Sequence, residues 1–252
     1  MKVGDRDVAR IGLGTNRLAN TPEHVELIRA AAAAGVQMID TAHSYQGGQS
    51  EETIGAAFSP PPDGVIVATK GGIGGPGRGK PEVLRAEIEQ SLRSLRTGTI
   101  DLYYLHRVDP ETPLEESLGT INEYREQGKI RHIGISEVTV EQIERAREVV
   151  PVTAVQNHYN LAERKYEDVV DYCTREGIVF VPFFPLRDGG GPAVDEIAQR
   201  HRARPQQVML AWLLRRSPVM LPIPGTLSIA HLKQNMAALD LELTEEEFSR
   251  LK

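Results

Sequence analysis

The chain has 252 residues, 40% hydrophobic and 25% charged, with a net charge of −6 and an isoelectric point near 5.7. That balance suits a soluble globular protein, and without a dense Lys/Arg block it argues against nucleic acid or an anionic membrane as the main partner. No apolar run is long enough to span a bilayer, no signal core opens the chain, and the single Cys173 allows no internal disulfide, so the cytoplasm is the expected location.

Residues 2–10 alternate weakly around Gly4-Asp5 and predict a small hairpin. Ile11–Thr15 reads as a first strand. Thr21-Pro22 then reads as an N-cap followed by a first helical residue, opening a helix through Ala34. After Gly35 the apolar run from Val36 reads as a buried second strand that delivers Asp40, with Tyr45 five residues on. Ser50 is expected to cap a short helix that Pro60-Pro61-Pro62 stops. Val65–Lys70 is the third strand. A glycine-rich loop follows, then a helix from Pro81 with Val83, Leu84, Ile88, Leu92 and Leu95 at helical spacing.

The alternation continues with a fourth strand at Asp101–His106 and a helix over 114–127. A fifth strand at Ile133–Ser136 precedes the capping box Thr139–Gln142. Thr153–Gln156, Ile178–Phe183 and Val219–Ile223 complete a set of eight strands. Helices are expected near 166–175, 193–201, 206–216 and 228–239. Strand-then-helix order implies parallel strands with right-handed crossovers. Eight such units close into a (β/α)8 TIM barrel, and no linker divides residues 1–252, so one domain is expected. An open doubly wound sheet is the alternative.

Five of these strands end in polar residues: Asp40, Lys70, His106, Ser136 and Gln156. A barrel gathers those ends at one rim, where such folds do their chemistry. A phenol in water, with a pKa of about 10, is too weak an acid for fast work at neutral pH. An ammonium beside it favours the phenolate left behind. Asp40 is expected to hold Lys70, and His106 to hydrogen-bond a substrate oxygen beside Tyr45. The set reads as a device for protonating a carbonyl oxygen while a hydride reaches its carbon. No side chain donates hydride, so a nicotinamide cofactor is required. Taken singly, each residue has a plainer role, as a turn cap, a solvated charge or a packed ring.

Here the sequence resembles the aldo-keto reductase superfamily over essentially its whole length. Asp40-Thr-Ala-His-Ser-Tyr45 is similar to the Asp-Thr-Ala-x-x-Tyr motif of that family, and Ala68-Thr-Lys70 and Leu105-His106 match the strand ends that carry its lysine and histidine. Gly134–Ser136, Val155–Asn157, Phe183–Leu186 and the run from Ile223 to Asn235 match its cofactor segments in order. The Phe-Phe-Pro-Leu and Ile-Pro-Gly-Thr forms look closest to bacterial pyridoxal-reductase-like members.

The resemblance implies Tyr45 as general acid, Lys70 and Asp40 tuning it, and His106 orienting a small-molecule carbonyl. It implies NADPH, with NADH as the alternative. Ser136 and Gln156 would hold the nicotinamide carboxamide, and Phe183 would stack on the ring. Thr15, Asn16, Pro185, Leu186, Gly225, Thr226, Ser228, His231, Gln234 and Asn235 would line the rest of the cofactor. Thr226 and Ser228 sit near a helix N-terminus, a natural anion site.

Three departures stand out. Gly225 replaces a frequent lysine, His231 a frequent arginine, and Glu137 a frequent asparagine beside the nicotinamide. The loops after Lys70 and Leu186 also look short. These features motivate an alternative in which the same acid–base group performs a dehydration, isomerisation or cyclisation without redox chemistry. A non-enzymatic binding subunit is a further alternative, against which the intact acid–base group speaks. A monomer is the default.

Gly72–Gly77 matches Gly-x-Gly-x-x-Gly, and Gly74–Lys80 resembles a P-loop. No helix opens directly after the first, and Pro81 replaces the Ser/Thr of the second, so both read as a flexible loop beside the pocket. His43 is a candidate substrate neighbour; Cys173 and Trp212 read as core.

Overall fold

The computed structural model describes residues 1–251. It opens with a hairpin of β1 (Lys2–Val3) and β2 (Arg6–Asp7), paired antiparallel across Gly4-Asp5, with Gly4 at φ 59°. The turn lies on the His132 ring, where any Cβ at Gly4 would collide, and Asp5 bonds that imidazole at 2.8 Å.

Seven parallel strands then pair in chain order: β3 (Leu13–Gly14), β4 (Met38–Asp40), β5 (Ile66–Gly71), β6 (Ile100–Leu105), β7 (Ile130–Ser136), β8 (Val152–Gln156) and β9 (Val179–Phe180). The helices α1 (Pro22–Ala33), α2 (Gln49–Ala57), α3 (Pro81–Ser94), α4 (Leu114–Glu126), α5 (Val140–Val149) and α6 (Glu167–Glu176) connect them. Then follow α7 (Pro192–His201), α8 (Pro205–Arg216), α9 (Ile229–Met236) and α10 (Glu245–Arg250).

The eighth strand expected at Val219–Ile223 is present only as an extended segment. It meets β9 through Phe180 N–H to Val219 O and Leu221 N–H to Phe180 O, both 2.9 Å. It meets β3 through Gly12 N–H to Pro222 O at 3.0 Å and Gly14 N–H to Pro224 O at 3.4 Å. Pro222 and Pro224 have no N–H to return, so no continuous ladder forms. The ring still closes, and the fold is a (β/α)8 barrel. Three other strands are shorter than the sequence suggests, the second contracting from 36–40 to Met38–Asp40. The first contracts from 11–15 to Leu13–Gly14. The seventh contracts from 178–183 to Val179–Phe180; Pro182 offers no donor, and pairing resumes only as an isolated bridge between Phe183 and His158.

Alternation along the strands separates two cores. Met38, Ile66, Ala68, Leu102, Tyr104, Ala154 and Val179 point inward and fill the barrel, with Val3 and Val8 of the hairpin segment at its base. Ile39, Val67, Tyr103, Leu105, Ile133, Ile135, Val155 and Phe180 point outward against the helices. Because the period is two, the inward parity that places Met38, Ala68, Tyr104, Gly134 and Ala154 in the barrel also delivers Asp40, Lys70, His106, Ser136 and Gln156 at its mouth. Register supports this: Asp40 is level with Ala68, Lys70 with Tyr104, and Ser136 with Gln156.

Helix starts follow local chemistry. Thr21 caps α1 with Pro22 behind it, and Thr139 and Thr244 form capping boxes with Gln142 and Glu247. Ser50 does not cap α2. Gly48, at φ 96°, takes that place, and Ser50 is buried with its hydroxyl 2.8 Å from those of both Thr15 and Thr41. Trp212 and Cys173 are buried, and burial pushes the thiol up to about 12.

Candidate active site

The mouth of the barrel holds a cleft of about 570 Å³. Beneath it Lys70 is fully buried, its ammonium 2.7 Å from Asp40 Oδ2 and 2.6 Å from Thr41 O. The other oxygen of Asp40 accepts the Gln156 amide at 2.8 Å. Burial, the largest single influence, lowers the lysine's proton affinity, but the charge and hydrogen bond of Asp40 together with those of Tyr45 outweigh it and raise the pKa above the usual lysine value. The ammonium is therefore present at neutral pH. Its remaining reach is to Tyr45 Oη, at 3.4 Å, and it lies 5.0 Å from that ring's centre.

The His106 ring stands edge-on to Tyr45 with centroids 6.0 Å apart. Burial, then the charges of Lys70 and Arg107, pushes the imidazole down to about 2, so it is neutral at physiological pH. Its Nδ1 is buried without a protein partner. The sequence-predicted Asp40, Lys70, Tyr45 and His106 thus converge on one point.

The cleft is also lined by Thr15, Asn16, Ser136, Gln156, Phe183, Pro185, Leu186 and Gly225. Several have obligations to the protein. The Thr15 hydroxyl donates to Asp40 O at 2.8 Å, which fixes the first loop against β4. Phe183 stacks on His158 at 5.2 Å with an interplanar angle of 13°, so one ring face is already covered. Thr226, Ser228, His231, Gln234 and Asn235 lie outside the cleft lining. Thr226 Oγ1 accepts the Ser228 N–H at 3.1 Å, Ser228 caps α9 through the His231 N–H at 3.4 Å, and Asn235 is buried.

Glu137 turns away from the cleft. At φ 57° it points its carboxylate at the His158 N–H, 2.7 Å away, and at the Tyr166 hydroxyl, 3.4 Å away. His43 is also not in the cleft lining; its Nε2 lies 3.9 Å from Glu87. The glycine-rich loop, expected to be free, is tied down. Gly72 N–H donates to Glu87 at 2.6 Å, and Gly77 and Gly79 N–H donate to Asp109 at 2.9 and 2.8 Å. Arg78 pairs with Glu87 as well. Amides that would cradle a phosphate in a P-loop are spent on carboxylates, which dismisses both glycine motifs as nucleotide sites.

Burial opposes ionisation of Asp109, but bonds from the Glu111 and Gly77 amides, the Thr112 hydroxyl and the Gly79 amide hold its carboxyl at about 2. Asp109 and Arg107 escaped the sequence reading. Arg107 lines the cleft, donates to Ser136 Oγ at 3.1 Å and lies 5.8 Å from the Phe183 ring centre. Its place directly after His106 is the one signal that pointed to it.

Among the described residues, no group of three His, Cys, Asp or Glu is placed to hold a metal, and no helix is long and apolar enough to cross a membrane. The fold and the converging phenol, ammonium, carboxylate and imidazole are those of a carbonyl-handling barrel enzyme. A model of the Aldo/keto reductase family matches residues 10–191 and 190–252, and the chain belongs to that family.

An uncharacterized oxidoreductase of Schizosaccharomyces pombe is 39% identical over the whole chain and 88% of the relative. The pyridoxine 4-dehydrogenase of Escherichia coli is 36% identical over 99% of the chain and 96% of its own length. Among solved structures, the thermostable aldo-keto reductase Tm1743, crystallised with the inhibitor epalrestat, superposes with a TM-score of 0.91 at 32% identity, covering 100% of this chain and 97% of that one. An aldo-keto reductase from Klebsiella pneumoniae in complex with NADPH gives 0.88 at 31% identity, covering 97% and 90%.

Proposed function

We propose that the protein reduces a small aldehyde or ketone to its alcohol, with NADPH as reductant and Tyr45 as general acid. The observation that carries this reading is the Tyr45 hydroxyl 3.4 Å from a lysine that is buried, charged and anchored on Asp40. A bound reduced nicotinamide supplies the hydride. Tyr45 Oη gives its proton to the carbonyl oxygen, and the Lys70 ammonium stabilises the phenolate that remains. Asp40 keeps Lys70 aimed, and Gln156 keeps Asp40 aimed. Neutral His106 donates a hydrogen bond to the same carbonyl oxygen without competing for the proton.

The donor set fits the cofactor. Ser136 and Gln156 offer a hydroxyl and an amide at the cleft floor for the carboxamide, and Phe183 offers a ring wall. Thr15, Asn16, Pro185, Leu186 and Gly225 extend the same lining, and Thr226 to Asn235 follow Gly225 in the chain. Although lysine is missing at Gly225, Arg17 brings a guanidinium to within 3.2 Å of the Gly225 carbonyl, which supports an anionic group at that end. The Klebsiella relative's complex with NADPH supports NADPH over NADH. The non-redox alternative loses one of its grounds, because the Glu137 carboxylate is engaged with His158. The same reading takes the chain as a single catalytic unit, a monomer in the cytoplasm. Its exposed large apolar side chains are few and its cysteine is buried.

The test is Tyr45→Phe. Turnover of an aldehyde with NADPH should fall by about 10²- to 10⁴-fold, while NADPH binding, followed by nicotinamide fluorescence, persists. Undiminished turnover would refute the assignment.

A further inference from the structure

We propose that Arg107 is a specificity-determining residue that selects carbonyl substrates bearing an anionic group, a carboxylate or a phosphate ester. The inference rests on the reductase reading above and names the substrate class for that site.

Arg107 is half-buried in the wall of the cleft and has no carboxylate partner among the described residues. Its Nη1 is served by the carbonyl of His106 and the hydroxyl of Ser136, and its plane lies over Phe183. Half-buried Arg216, by contrast, pairs with Glu167 at 2.6 Å and Asp171 at 2.5 Å, and Arg10 is satisfied by three backbone carbonyls, those of Leu214, Ser217 and Met220. Arg107 has one carbonyl and one hydroxyl, both on Nη1. A partly desolvated cation without a counter-ion is unfavourable, and an arriving anion relieves it.

With Arg17 assigned to the anionic end of the cofactor, the charge of the rest of the cleft points the same way. Its charged lining residues are Arg107, Arg187 and Asp40, and Asp40 is already neutralised by Lys70. His106, held neutral, contributes no charge. The lining is therefore cationic in a protein whose net charge is −6.

Arg107 follows His106 directly, so its Cα lies about 3.8 Å from that of the residue that meets the carbonyl oxygen. A substrate whose carbonyl rests on Tyr45 and His106 beside the bound nicotinamide then has an acidic substituent within reach of the Arg107 fork in the cleft wall. A guanidinium donates to carboxylate or phosphate oxygens in pairs, and a methyl ester offers neither the charge nor a second equivalent acceptor oxygen.

The test compares kcat/KM at saturating NADPH for matched pairs: succinic semialdehyde against methyl 4-oxobutanoate, and glyceraldehyde 3-phosphate against glyceraldehyde. In the native enzyme the charged member of at least one pair should be preferred at least tenfold, mainly through KM, because an anionic handle binds ground and transition states alike. The pair that shows the preference identifies the anion. Arg107→Met should cut that ratio by at least tenfold, and Arg107→Lys, which keeps the charge but not the fork, should fall between.

A native ratio near one, or a ratio that survives Arg107→Met, overturns the inference and leaves the reductase reading standing. So does a defect confined to NADPH affinity, measured by fluorescence titration, which would make Arg107 a support for Ser136 alone. If the native enzyme oxidises NADPH with none of the four compounds, nor with unrelated neutral aldehydes, the reductase reading and this inference fall together.

Discussion

At the floor of the cleft, between β4, β5 and β8, Asp40 has both oxygens engaged, by Lys70 and by Gln156, and these partners come from segments 30 and 116 residues away. At the other end, between Gly225 and Asn235, Thr226, Ser228 and the His231 amide bond within three residues of one another. The polar groups of the first region are pre-organised by partners from across the barrel before any ligand arrives, whereas those of Thr226, Ser228 and His231 bond only to near neighbours, although Leu232 anchors their helix in the core. Electrostatic catalysis needs the first kind of order, because dipoles and charges already in position need no reorganisation at the moment of reaction. The grip on a cofactor can tolerate the second.

The sharpest way to break this contrast is to remove the buried ammonium. Lys70→Met strands the Asp40 carboxylate in a site that is 1% exposed. A broken buried pair costs about 3–5 kcal/mol, visible as a lower midpoint in urea or heat. Lys70→Met combined with Asp40→Leu should recover most of that loss. Recovery of activity should not follow. A Lys70→Met variant as stable as the native protein would mean that the floor is not wired as described.

The next effect concerns pH. The folded value of His106 lies at about 2, against 6.5 for the ordinary group. Since the folded pKa is depressed, the unfolded chain binds the proton that the folded chain refuses. Stability from this group is full above about 6.5 and falls by about 1.4 kcal/mol per pH unit below it. The His106 imidazole should show no titration by NMR between pH 5 and 8; an inflection near 6.5 would show that burial and the two cations do not hold it neutral.

Asp109→Ala, outside both regions but pinning the glycine loop beside them, should cost about 1–3 kcal/mol, because the Gly77 and Gly79 amides lose their acceptor. Its carboxylate also has a depressed value, so its contribution is present above about 4 and fades as pH falls toward 2. Equal midpoints for Asp109→Ala and the native protein at pH 7 would remove the tether. Ser228→Ala should have the smallest effect, about 1 kcal/mol from the lost cap. A larger rise in the Kd for NADPH than this stability change implies would give Ser228 a direct role in the grip.

The floor was legible in the sequence because two regularities meet there. Strand–helix alternation gives the barrel, and a period of two puts Asp40, Lys70, His106, Ser136 and Gln156 on one face. Where the reading failed, the determining contact was distant or the backbone atypical. Nothing local to Ser50 says that Gly48 takes the capping position and that Thr15 and Thr41 draw the hydroxyl inward. Glu137 could be aimed only by knowing its φ of 57° and the position of His158. Asp109 meets Gly77 and Gly79 from about 30 residues off, and Arg107 is visible as a cleft residue only once Ser136 and Phe183 stand beside it. The segment from Thr226 to Asn235, outside the cleft lining, was read from family likeness, and its local hydrogen bonds carry little independent signal.

The final stave of the barrel is joined to its two neighbours unequally. Toward Phe180 the bonds run both ways; toward Gly12 and Gly14 the two prolines only receive. Parting that second join strands no amide on the proline side, and water can take up the two glycine amides released. The ring therefore closes on that side through bonds donated by Gly12 and Gly14, and this join runs up to Gly225 at the lip of the cleft.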